Sequence, residues 1–264
     1  MKIKPQIFPI ATSLCCATSF VSGYVINVIL DKSEAWISKI SDGGGVMPAS
    51  GVFAIFLNLG VFNWLLTGFF VHISLSQHIK KHSNHNSKLH YVLYYMVFLC
   101  ITSAIGLLLV AAFPITLLRK VHGLAATVAF LNGCLYLWVN VLFLMFYRPR
   151  LIAFWISVGQ LVGVVFTSFC VFTHVLLGNS KLFVSEVNGT RPDKPQYKID
   201  QLVRLRPGDP YYMNNMIGSI TEWLLALGFC LITASFALQL PTYELALILR
   251  VKKAYICKVH IEKE

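Results

Sequence analysis

Six stretches of this 264-residue chain are apolar over enough length to cross a bilayer, and no other feature narrows its possible folds as far. A hydrocarbon core of about 30 Å takes about 20 helical residues. The runs at about 7–30, 51–75, 91–113, 121–147, 151–178 and 214–240 all meet that length. Lipid offers backbone N–H and C=O groups no partner, so a spanning segment must be a helix or a strand of a closed barrel. None of the runs alternates apolar and polar residues as barrel strands do. The expected fold is therefore all-α, a single membrane domain over 1–264 built as a six-transmembrane-helix bundle. Composition agrees, since 12% of residues are charged, against about 25% in soluble domains, and mean hydropathy is +0.68.

The first run also resembles a secretory signal, with Lys2 and Lys4 ahead of "IFPIATSLCCATSFVSG" and its small-residue cleavage site. Its apolar stretch continues through "YVINVIL", longer than a typical signal core, so it is read as the first span. Cleavage would leave five spans without changing the side on which any later loop lies.

Orientation follows from the distribution of Lys and Arg. The loops "QHIKKHSNHNSK" (77–88) and "RPR" (148–150), and the tail segment "RVKKAYICKVH", carry basic residues without acids, so they and both termini are expected in the cytoplasm. The loops at about 31–50, 114–120 and 179–213 then face a lumen or the exterior. "RK" at 119–120 is an exception to the charge rule. The sequon "NGT" at Asn188 falls in the long loop 179–213, where glycosylation would require the luminal side.

A net charge of +11 would suggest nucleic acid in a soluble chain, but the basic residues divide almost evenly between the two faces. Nucleic-acid binding is not expected; membrane lipids, and possible partner membrane proteins, are. Cys15, Cys16, Cys100, Cys134, Cys170 and Cys230 lie in spans and Cys257 in the tail, so no disulfide framework forms on the luminal side. They read as small apolar filler, with palmitoylation of Cys15, Cys16 or Cys257 the alternative. No Cys/His spacing suggests zinc, and no cofactor is indicated. His78, His82, His85 and His90 gather around the first cytoplasmic loop and read as solvated residues.

Ionisable groups within membrane helices are costly and usually face the bundle interior. Asn58 stands in the second span. His122 shares a helical face with Ala126, Ala129, Gly133, Tyr136 and Asn140, and His174 with Gln160, Gly163, Thr167 and Cys170. "GQLVG" (159–163) hints at close helix packing. Glu222 shares a face with Ala226 and Thr233. Because the spans alternate in direction, His122, His174 and Glu222 all fall in the luminal half, as does Asp42 in the first luminal loop. They form a candidate polar cluster. The bland alternative is that each finds an interhelical hydrogen bond or interfacial water. No HExxH, GxSxG or SxxK occurs, so no catalytic or metal-binding residue is assigned.

"ISDGGGVMPAS" (40–50) lacks the Lys of a phosphate-binding loop and precedes a membrane span rather than a soluble helix. It reads as a tight luminal turn in which Gly43, Gly44 and Gly45 permit positive φ, Pro48 suits the first helical turn and Ser50 caps the second span.

The same stretch resembles the first luminal loop and second span of the damage-regulated autophagy modulator (DRAM) family, through Ile40, Ser41, Asp42, Gly44, Pro48, Ser50, Phe53 and Asn58. Ala49 replaces the family's usual Glu, and Gly45 a common Thr. "VHGLAATVAFLNGCLY" is similar to the fourth span through His122, Phe130, Gly133 and Tyr136, and "TEWLLALGF" to the sixth through Glu222 and Trp223. The long loop 179–213 carries no motif that adds to the resemblance. The resemblance implies a six-helix, non-enzymatic protein of lysosomal or other endomembranes linked to autophagy, with the plasma membrane as the alternative location. The wider superfamily includes proteins of GPI-anchor lipid remodelling and phosphoinositide-kinase recruitment. Three readings follow: a modulator that binds lipid or protein; a lipid-handling or GPI-lipid-remodelling factor using Asp42, His122, His174 and Glu222; and a channel or transporter subunit lined by Asn58, Asn140, Gln160 and Glu222.

Overall fold

The computed structural model describes residues 4–36, 38–82 and 87–240. Tail features, Cys257 among them, and His85 lie outside those residues. The chain is a multi-pass membrane protein whose six apolar helices are α1 (Ile7–Ile29), α3 (Ala49–His82), α4 (Ser87–Ala112), α5 (Arg119–Phe146), α6 (Phe154–Asn179) and α7 (Tyr212–Ser235). A one-turn helix, α2 (Ile40–Gly43), lies between α1 and α3, and a 3-10 turn over Phe236–Leu238 follows α7.

Each span packs on its sequence neighbours and α7 closes back on α1. Two apolar clusters fill the ring. One centres on Val61, Leu75, Tyr136, Leu137 and Phe236, the other on Ile40, Phe53, Leu57, Cys170 and Leu225. The loops expected to share one side do meet at one end. Thr116 donates to the Gly45 carbonyl, Tyr197 to Asp42, and Arg119 to Gln196. At the opposite end His78 contacts the Pro149 carbonyl and Gln6 donates to Leu240 O. We refer to the first as the loop-rich end.

α1 is a full member of the bundle. Ser19 Oγ donates to Phe53 O (2.7 Å), Ser13 Oγ to Cys230 O (2.7 Å) and Asn27 Nδ2 to Asp42 O (2.9 Å). Helices in lipid gain little from the hydrophobic effect and associate through close packing and bonds of this kind. Where small residues meet, backbones touch: a Cβ on Gly23 would lie 2.9 Å from Gly43 O, and one on Gly106 2.6 Å from Ala129 N. Cys16 packs against Gly60, as expected of a small filler.

Several local expectations are corrected. α3 continues to His82, beyond the apolar run at about 51–75, because Leu75 and Ile79 stay buried and Lys80, Lys81 and His82 sit favourably at a helix C-terminus. The 40–50 segment begins with a helical turn, and Gly43, Gly44 and Gly45 do not take positive φ. Their value is the missing Cβ: Gly43 abuts Gly23, Gly44 lies under the Phe53 ring, and Gly45 touches Leu202. α3 starts at Ala49, so Pro48 lies just outside its first turn and Ser50 is inside it, its Oγ on Met47 rather than capping. Asn58 faces outward and exposed, not into the bundle. Of "GQLVG", Gly163 meets only the Ile232 side chain and Gly159 meets nothing within 4 Å, so it is not a backbone contact motif.

Candidate functional site

α2 sits on α1 because two glycines meet, and that seating carries Asp42 into the bundle, where it is buried. The first turn of any helix leaves backbone N–H groups without partners. Here Glu222 of α7 supplies one from outside the helix, its Oε1 accepting from Ser41 N at 3.2 Å. The Asp42 carboxylate accepts from the Tyr197 hydroxyl at 2.8 Å, tying the 180–211 connection to α2. Burial pushes Asp42 up to about 6, opposed by Lys39 and the Tyr197 bond and reinforced by Glu222. Burial, with Asp42 beside it, holds the Tyr197 phenol well above its usual range, so Tyr197 is the donor.

Trp223, next to Glu222, donates from Nε1 to Ser38 O (3.0 Å) and meets Tyr24 edge-on. It therefore holds the loop leading into α2. Gly133 gives room to the Phe229 ring, and Tyr136 packs edge-on to Trp64. Gly44, Gly133, Tyr136 and Trp223 thus have packing tasks in this structure.

Beside this corner a cavity of about 740 Å³ separates α5 from α6, with α7 behind it. Its upper wall carries Lys39, Arg119, His122, His174, Lys194, Tyr197 and Glu222, while Ala126, Phe130, Leu131, Leu135, Val171 and Phe172 line its body. Trp138 Nε1 donates to Ser168 Oγ (2.9 Å) at the deep end. Leu131 and Phe172 are 55% and 66% exposed, so the cavity opens sideways on the outer surface of the bundle. It is a groove with a polar head and an apolar body.

Of the predicted cluster, His122, His174 and Glu222 share this wall, whereas Asp42 stands one residue behind it, lining a smaller cleft with Ser38 and Tyr212. Among the described residues the four side chains do not hydrogen-bond one another. His122 Nδ1 lies 2.8 Å from Phe113 O and His174 Nδ1 3.0 Å from Gly218 O. A carbonyl only accepts, so each Nδ1 carries a proton and donates it. Glu222 Oε2 is buried without a partner. Among the described residues no group of three His, Cys, Asp or Glu is arranged to hold a metal.

Sequence reasoning missed Lys39, Arg119, Lys194 and Tyr197. The signal for Arg119 was present: it is a cation on the side of the membrane where the charge rule does not want one. Tyr197 and Lys194 sit in a loop without motif or periodicity. Asn140 and Gln160, offered as pore lining, are buried near the opposite end from Glu222, and Gln160 donates to Ser235 Oγ (2.9 Å).

Residues 5–243 match the family described as Frag1/DRAM/Sfk1/Cwh43P N-terminal domain. The chain is 26% identical over 227 residues to DNA damage-regulated autophagy modulator protein 2 of Bos taurus, covering 85% of this chain and 79% of that protein. The Homo sapiens protein of the same name is 25% identical over the same shares. No solved structure matches.

Proposed function

The chain belongs to the DRAM family within the Frag1/DRAM/Sfk1/Cwh43P group, and from that premise we propose that it modulates autophagy or lysosome function by binding membrane lipid, without catalysis of its own. The observation that carries this reading is the sideways opening of the α5/α6 groove, whose body is apolar and whose polar end lies at the loop-rich end of the bundle. A gap of that shape in a bilayer is filled by lipid tails, because water in an apolar wall has too few partners.

The autophagy part rests on the relatives, whose names describe modulators of that process. On this reading the loop-rich end faces the lumen of a lysosome or another endomembrane, and Asn188, exposed in the Val187–Thr190 turn, accepts glycan there. The lipid-remodelling reading has less support, since among the described residues no member of the polar cluster is hydrogen-bonded to a second acid or base that would form a catalytic pair with it.

The test is functional rescue. In cells lacking the protein, autophagic flux is measured after re-expression of the wild type or of Leu131→Trp, which fills the groove body. The expected result is rescue by the first and not the second, at equal abundance and equal location on lysosomal membranes. Unchanged flux on loss of the protein, or full rescue by Leu131→Trp, contradicts the proposal.

A further inference from the structure

The rim of this groove has its own chemistry, and we propose that it selects a phospholipid with a net anionic, hydroxyl-bearing head group. Lys39, Arg119 and Lys194 would take the phosphate and Glu222 the hydroxyl. The proposal rests on the reading that the groove holds lipid, and adds which one.

Three separate segments deliver the cations: Lys39 from the connection into α2, Arg119 from the start of α5, and Lys194 from the 180–211 connection. Among the described residues none of the three closes an ion pair. Arg119 donates to the neutral Gln196 Oε1 (2.8 Å) with its guanidinium 5.8 Å from the Tyr197 ring centre, and Lys194 donates to Gly178 O (3.1 Å). Lys39 lies in the field of Asp42 without pairing with it. Burial first, and then the charges of Lys39 and Arg119, push Lys194 down to about 8, so the three are close enough to repel. Cations that close no ion pair among the described residues, gathered on a half-buried rim, suit a phosphate, and a phosphate bound there relieves that repulsion.

Glu222 narrows the choice. It is 6% exposed, its Oε1 is occupied by Ser41 N, and Oε2 has no partner. A buried carboxylate oxygen without a donor is costly, and Glu222 is one of the residues that line the cavity. A phosphodiester has no proton to give and neither has choline; an ammonium or a hydroxyl has. Three cations against the two carboxylates of Glu222 and Asp42 disfavour a head group that brings a further positive charge, which leaves the hydroxyl.

The test uses full-length protein reconstituted in nanodiscs of phosphatidylcholine, phosphatidylethanolamine and phosphatidylglycerol in equal parts. It is then re-purified in detergent, and retained lipid is quantified by mass spectrometry. Phosphatidylglycerol is expected to be enriched about tenfold over the other two, the worth of one charge-assisted hydrogen bond. In Arg119→Gln/Lys194→Gln the enrichment is lost while total retained lipid is unchanged. In Glu222→Gln, whose amide oxygen still serves Ser41 but whose second position offers a donor, the enrichment falls. Equal retention of the three lipids, or enrichment that survives the double substitution, overturns the head-group assignment and leaves the groove reading intact. Displacement of phosphatidylglycerol by soluble glycerol phosphate also overturns it, in favour of a free-phosphate site. Failure of Leu131→Trp to lower retention of any lipid contradicts the groove reading itself.

Discussion

α5 takes part in two seams that differ completely, although the residues that form them alternate along one helix. Toward α4 the backbones touch: a Cβ on Gly106 would lie 2.6 Å from Ala129 N and 2.8 Å from Ala125 O. Toward α6, Gly123 and Gly178 line the groove and a Cβ on either would meet nothing within 4 Å. Glycine therefore serves opposite ends in the two places. In the first it allows helices to meet, and in the second it widens a space that no side chain fills. A bilayer protein needs only the first kind of seam to hold together, so the second reads as the part shaped for a ligand.

The largest effect that separates the seams is expected from Gly106→Val. Its side chain must displace the α5 backbone rather than a flexible side chain, and overpacking of that kind costs about 1–3 kcal/mol or more. Loss of the monodisperse folded species on size exclusion is the expected readout, whereas Gly123→Val should elute as wild type. If both variants fold equally well, the distinction between the seams is wrong.

Of similar size is a pH effect seated in the buried corner behind the groove. Burial raises Asp42 from 3.8 to about 6, which corresponds to about 3 kcal/mol of preference for its protonated form in the folded protein. That contribution is fully present below 3.8 and is lost as pH rises through about 6. Thermal stability should accordingly be higher at pH 4–5 than at pH 7 for the part due to this group. Asp42→Asn, which keeps an oxygen for the Tyr197 hydroxyl, should flatten the profile; an unchanged profile would mean that Asp42 is not the group responsible.

Smaller still is Ser19→Ala, which removes the 2.7 Å bond to Phe53 O in the closed α1/α3 region. Interhelical bonds in membranes average about 0.6 kcal/mol, and a thermal denaturation difference of that order is expected. The smallest change belongs to Gly123→Ala, within about 0.5 kcal/mol as for an unconstrained position. A larger loss there would mean that the groove is closed in the folded protein.

The helices were legible because the bilayer demands about 20 apolar residues in each, a requirement that leaves little freedom. Polar stripes were legible for the same reason: Ala129, Gly133, Tyr136 and Asn140 are buried below His122, and Thr167 and Cys170 below His174. Asn58 breaks the rule because an amide costs far less at an exposed position than a charge would. The short helix α2 was hidden because its glycines act through contact with Gly23 in another element, and no local pattern reports that. Half of the site lay beyond sequence reasoning for a related reason. Lys39, Lys194 and Tyr197 come from connections whose course is set by tertiary bonds such as Tyr197 to Asp42, not by periodicity.

The central claim is that the α5/α6 seam is open and occupied by lipid while the rest of the outer surface carries only passing contacts. It is tested most directly by mapping adducts of a photoactivatable phospholipid on the reconstituted full chain by mass spectrometry. The account predicts adducts concentrated on Leu131, Leu135 and Phe172, and competed away by unlabelled phosphatidylglycerol. Labelling spread equally over the exposed Ile55, Leu59 and Phe62 of α3, with no competition, would contradict it.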